Sequence, residues 1–208
     1  MTRLRYAVQP RIEKRVAGEL PHVDLADVES GGTACWSPRE AVERETEALL
    51  ARPGDILLGK LRPYLRKGFV ADRELTCSTE FLVLRPEHGW NPRFLLYVLL
   101  SAEFTAFAEM TVEGAKMPRT SWESMRDFLL PQLPPVGLQS SIVDFLDREC
   151  ARIADLASEL GRACEVALTA LQDELRRLVL EGDYPFVPLK YYATTGTGHT
   201  PSRDRPEY

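Results

Sequence analysis

Apolar residues in the second half of the chain fall at Ile142, Leu146, Ile153, Leu156, Leu160, Cys164, Ala167, Leu171, Leu175 and Leu178, mostly three or four residues apart. No proline interrupts the stretch from Leu138 to about Glu181. The period predicts an amphipathic helix of about 40 residues, roughly 60 Å long at 1.5 Å per residue. One small domain is too short to cover such a stripe, so the pattern calls for a second helix as partner. Its steps include consecutive fours, which departs from a strict heptad and predicts an antiparallel or irregular pair with weak supercoiling. Ile153, Leu156, Leu160, Leu171, Leu175 and Leu178 are the interface candidates. The other arrangement compatible with the pattern folds the helix back on its own domain.

The first half reads differently. Leu4–Val8 and Pro21–Val28 suit strands of a sheet, whereas Arg39–Leu50, rich in Glu, Ala and Leu, suits one or two exposed helical turns. Two short buried strands follow, Ile56–Leu58 and Gly68–Val70, and then a third over Glu80–Arg85. Asn91 before Pro92 is a cap and first-turn pair, and apolar residues recur at helical spacing from Phe94 to Met110. Gly114 and Pro118 break that helix. Trp122–Met125 suits a short helix and Phe128–Leu130 a last strand, which Pro131, Pro134 and Pro135 bring to an end. The fold class is therefore α+β. A globular domain over residues 1–135 precedes a helical spacer over 136–182, and residues 183–208 begin something new. There Leu189–Ala193 echoes Leu4–Ala7, as though a second copy of the first domain opens and is cut short.

Charge sharpens this outline. The chain of 208 residues carries a formal net charge of -5, which argues against generic polyanion binding over the whole surface. Cations are nevertheless concentrated between the two short strands, where a Pro-containing turn bears Lys60, Arg62, Tyr64, Arg66 and Lys67. Lys116 and Arg119 form a second basic edge on the loop after the middle helix. Arginine forks match guanine edges, and lysine and tyrosine hold phosphates, so these seven residues are the DNA-binding candidates. Cysteines at 35, 77, 150 and 164 include no CxxC pair and no neighbouring histidine, so no metal site is expected and the thiols are read as reduced. With no apolar run long enough for a membrane, the expected compartment is the cytoplasm. No cofactor loop, Walker motif, methyltransferase motif or nuclease motif occurs, so no catalytic residue and no cofactor are expected.

The ordered segments GDILLGKLRPYLRKGF, STEFLVLRP, NPRFLLYVLLS, the Gly114 loop with Arg119, and LPQLPPVGLQSSIVDFLDRE running on to LRRLVLEG resemble the specificity subunit of type I restriction-modification systems. VPLKYYATTGTGHTPS resembles the opening of that family's next recognition domain. The chain departs from the family in carrying Leu138-Gln139 where members usually have Glu-Gln, and in holding one recognition domain and one long helix where members have two of each. The resemblance implies a non-catalytic DNA-recognition subunit. It would direct adenine methyltransferase and restriction subunits to a bipartite target, as a half-subunit that restores two-fold architecture by homodimerisation through the helix. The competing expectation is a scaffold that recruits a protein partner through the same helix.

Overall fold

A computed structural model describes residues 1–16, 20–31, 47–112 and 117–180, with no side-chain description for residues 178–180. Expectations for residues 39–46, Gly114, Lys116, the Leu178 side chain and the Leu189–Ala193 echo lie outside these residues. The chain divides into two compact units, Met1–Ile153 and Ala154–Tyr208.

In chain order the elements are β1 (Thr2–Arg3), β2 (Val8–Arg11), β3 (Lys14–Val16), β4 (His22–Val23), β5 (Glu47–Ala51), β6 (Ile56–Gly59), β7 (Gly68–Val70), β8 (Leu75–Cys77) and β9 (Phe81–Pro86). They continue with α1 (Pro92–Leu99), α2 (Ala102–Met110), α3 (Trp122–Met125), β10 (Leu129–Leu130) and α4 (Val136–Leu180). The result is an α+β fold with a 45-residue C-terminal helix.

The strands build two four-stranded sheets, ordered β2-β9-β6-β7 and β3-β5-β8-β4, with β1 and β10 pairing separately. The unbroken apolar run of β6 is explained by burial on both faces. Ile56 and Leu58 point with Leu84 toward Leu95, Leu96 and Leu99 of α1, while Leu57 points with Phe69, Phe81 and Val83 into a second core beneath the other sheet. Truncating the fully buried Leu57 to alanine costs about 2–5 kcal/mol. The β6–β7 pair is close at Gly68, where a Cβ would lie 3.0 Å from the Leu57 carbonyl oxygen.

Several elements differ from expectation, each for a tertiary reason. Leu4–Tyr6 is a 3-10 turn because its amides are drawn to the far end of the domain, Leu4 N–H donating to Phe128 O and Arg5 N–H to Arg126 O. Only His22–Val23 of the second segment is extended, and a 3-10 turn over Leu25–Asp27 follows, in which the Asp27 carboxylate accepts from the Asp24 amide at 2.8 Å. Residues 47–50, expected to be helical, belong to strand β5: Ala48, Leu49, Leu50 and Ala51 are all buried between β3 and β8, and pairing overrides helix propensity. The helix expected over 91–110 is two helices, because Ser101 caps a new start by accepting from Phe104 N–H at 3.2 Å. The Asn91 cap on α1 is as expected, accepting from Arg93 N–H and Phe94 N–H.

Candidate nucleic-acid interface

The connection from β6 to β7 is a built loop. Arg62 (φ 52°, ψ 67°) and Arg66 (φ 49°, ψ 50°) both adopt left-handed backbone conformations and bracket a 3-10 turn over Pro63–Leu65. Non-glycine residues adopt that conformation at a cost of about 1–2 kcal/mol each, so neighbours must hold it. They do so by backbone hydrogen bonds. Lys60 N–H donates to Glu80 O at 2.8 Å, Thr120 N–H to Lys60 O at 3.0 Å, Arg62 N–H to Pro118 O at 2.8 Å, and Gly31 N–H to Leu65 O at 2.9 Å. A bridge pairs Leu61 with Arg119.

This clamp joins what the sequence presents as two basic edges. Arg119, remote in the chain, is brought beside Lys60 and Arg62, with its guanidinium on Glu80 Oε1 at 2.7 Å. The ion pair is half-exposed, worth about 0–1 kcal/mol, and so is readily exchanged for an external anion. Among the described residues, Lys60, Arg62 and Arg66 have no acidic side chain within ion-pair distance. Tyr64 is 49% exposed. The Lys67 ammonium donates to Leu25 O at 2.9 Å and ties the loop to the turn beneath it.

Beside the clamp lies a cleft of about 450 Å³, its walls including Lys60 and Arg119 on one side, Arg11, Ile12 and Lys14 on another, and Trp122 at the start of α3. The first subset of these wall residues was legible as a basic edge; Arg11, Ile12, Lys14 and Trp122 were not. The available signal was Ile12, an apolar residue in the charged run Arg11-Ile12-Glu13-Lys14-Arg15, and the structure leaves it 77% exposed. Arg11 is positioned by the fully buried Asp55, 3.8 Å from its Nε. Asp55 also accepts from Arg85, and this hydrogen bond raises the Arg85 pKa above its ordinary value.

The first turns of α4 are fastened by side chains. Gln139 is fully buried: its amide donates to Gly89 O at 2.7 Å and Pro134 O at 2.8 Å, and its oxygen accepts from Asn91 N–H at 2.8 Å. One helical face further, Asp147 receives both Arg93 Nε and the Tyr97 hydroxyl. Burial pushes the Asp147 carboxyl upward, but the hydrogen bonds from Arg93 and Tyr97 outweigh it and leave the pKa below the ordinary value. In the second unit every described side chain of α4 is exposed, Leu156, Leu160, Leu171 and Leu175 included; Ile153, at the end of the first unit, is exposed too. The apolar stripe is thus uncovered by any described residue.

No family model and no curated protein matches the chain. Solved structures do. The HsdS subunit from Thermoanaerobacter tengcongensis superposes with a TM-score of 0.62 at 22% identity, over 85% of this chain and 48% of that one. The chain has the fold of a type I specificity subunit. A chain from a structure describing complex assembly and conformational transition of the type I R-M system gives a TM-score of 0.61 at 22% identity, over 88% of this chain and 45% of that one. The type I S subunit from M. genitalium gives 0.51 at 15% identity, over 88% and 46%. The chain thus spans about half the length of the specificity subunits it matches. Among the described residues no helix is long and apolar enough to cross a membrane, and no cluster of three or more His, Cys, Asp or Glu is suited to a metal.

Proposed function

We propose that this chain is a DNA-recognition subunit of a type I restriction-modification complex. In this reading residues 1–135 read one half of a bipartite target, the helix over 136–182 pairs with that of a second copy, and residues 183–208 open a second recognition repeat. The observation that carries the reading is the convergence of Lys60, Arg62 and Arg119 on one clamped surface of a specificity-subunit fold. Donors of this kind fit phosphates and guanine edges, and a rigid loop between short strands suits the major groove. The cleft wall of Arg11 and Lys14 extends the same surface. The subunit performs no chemistry itself and acts in the cytoplasm; methyl transfer and cleavage belong to methyltransferase and restriction subunits that it directs. Support for the dimer comes from the exposed apolar stripe of α4, which is longer than one small domain can cover.

The test begins with affinity purification of the tagged full chain from its host, followed by selection of bound duplexes. An adenine methyltransferase should co-purify, and one split sequence should be enriched. Lys60→Glu combined with Arg62→Glu should weaken binding by tenfold or more and flatten the salt dependence by roughly one unit of log–log slope for every phosphate left unneutralised. Unchanged affinity in that double variant would overturn the assignment of the surface, and absence of any methyltransferase from a folded, abundant chain would overturn the reading as a whole.

A further inference from the structure

Two residues, Ile12 and Glu13, carry the chain from β2 in one sheet to β3 in the other, and both ends of this turn are held. Arg11 pairs with Val83 of β9, Lys14 pairs with Leu49 of β5, and Leu50 N–H donates to Glu13 O at 2.8 Å. The backbone of the turn is therefore fixed. The Glu13 carboxylate lies against both terminal nitrogens of Arg52, at 2.8 and 2.9 Å, and is not part of the cleft wall. Ile12 is part of it and is 77% exposed. An apolar residue alone on a surface asks for no partner. Ile12 is not alone: Leu82 and Trp122, both half-buried, line the same cleft and make its interior apolar.

Charge selects what fits there. Arg11 and Lys14 stand on one side of the cleft and Lys60 and Arg119 on the other, so anionic groups are favoured along both rims. Arg11 keeps its charge available, because Asp55 is shared with Arg85 and neutralises only one of the two. Lys14 is held by Glu47 at 2.7 Å in an exposed pair, which exchanges for a phosphate at little cost. Glu123, exposed at the start of α3, also lines the cleft and opposes a phosphate inside it. The matching occupant is apolar within and anionic at its borders, as a duplex is where a base edge lies between two phosphate strands. In the major groove the thymine C5 methyl is the apolar group among the base edges, and small apolar side-chain groups are its partners.

We propose that Ile12 reads the C5 methyl of one thymine in the target, while the cations on the two rims hold the flanking phosphates. This rests on the DNA-recognition reading above and assigns one base-reading contact to a residue outside the clamped loop. The contact selects by shape and apolar burial, without a hydrogen bond, so the methyl group alone carries it.

The test uses the full chain and the duplex it selects. Each thymine in turn is replaced by deoxyuridine, which removes the C5 methyl and leaves every hydrogen bond of the base pair in place. At one position the wild-type chain should bind the uracil duplex roughly fourfold more weakly, the worth of one methyl group withdrawn from an apolar contact. Ile12→Ala should bind the thymine and uracil duplexes alike at that position, and Ile12→Val should keep most of the difference. Both variants should unfold at the wild-type temperature, because the side chain is exposed, and both should keep the wild-type salt dependence, which Lys60→Glu with Arg62→Glu flattens. A selected site in which no thymine-to-uracil exchange weakens binding, or a discrimination that persists in Ile12→Ala, overturns the role of Ile12 and leaves DNA recognition standing. An Ile12→Ala chain that binds DNA as wild type but no longer co-purifies the methyltransferase makes the cleft a protein dock and overturns the role likewise. Failure of the wild-type chain to select any duplex overturns both.

Discussion

Replacing Gln139 with alanine should destabilise the first unit by about 3 kcal/mol. The side chain is fully buried and makes three hydrogen bonds of 2.7–2.8 Å to backbone groups of Gly89, Pro134 and Asn91. Each is worth about 0.5–1.5 kcal/mol net, and truncation leaves two carbonyls and one amide without a partner in the interior. For a unit of this size that corresponds to a fall of about 6–12 °C in Tm. Trp90, one residue before Asn91 and stacked on Phe94, reports the region by its fluorescence during thermal or urea unfolding. Gln139→Glu should be at least as damaging at neutral pH, because it keeps the acceptor, loses both donors and aims a carboxylate at two carbonyl oxygens. Gln132→Ala, at an exposed position before the helix, should change stability by less than about 0.5 kcal/mol. A loss below about 1 kcal/mol for Gln139→Ala would refute the view that this residue fastens the helix start.

Asp147→Asn should cost about 1 kcal/mol at neutral pH, a modest figure because Asp147 and Arg93 are each more than a third exposed. The folded-state pKa of Asp147 is lowered, so its contribution is present above the unfolded value near ~3.9 and is lost as pH falls through the folded value; the gap between wild type and variant should close in that acid window in pH-dependent urea unfolding. Burial pushes the Cys77 thiol up to about 12, so a maleimide at pH 8 should modify Cys164 in a monomeric variant within minutes and reach Cys77 only on unfolding, as peptide mass mapping would show. Arg66→Gly should raise stability by roughly 0.5–1 kcal/mol in thermal unfolding, because glycine accepts a φ of 49° without the steric cost, while DNA affinity falls with the removal of the charge.

The parts of this fold that were legible in the sequence are those whose pattern is settled locally. An apolar run bounded by turn residues gives β6, β7 and β9; Asn91-Pro92 gives the start of α1; a long three-and-four period without proline gives α4. The parts that were not legible are settled by distant partners. Residues 47–51 have helix-forming composition, yet lie between β3 and β8 as strand β5, and nothing in five residues announces those neighbours. Strand β8 is three residues long and pairs with β4 in parallel, a contact between segments over fifty residues apart. The two basic edges were each visible, but their union depends on the bridge from Leu61 to Arg119. Gln139 carries no sequence signal, since its partners are carbonyls and an amide that every residue type provides.

The left-handed conformations at Arg62 and Arg66 have an evolutionary consequence. Their shape is imposed by backbone hydrogen bonds to the Glu80 and Pro118 carbonyls and from the Thr120 and Gly31 amides, not by the identity of the residues that adopt it. Side chains along this loop can therefore be exchanged while its path through space persists. A surface of that kind can drift from one preference to another by single substitutions, each intermediate still folded, because the information that shapes the loop and the information it presents are written in different residues.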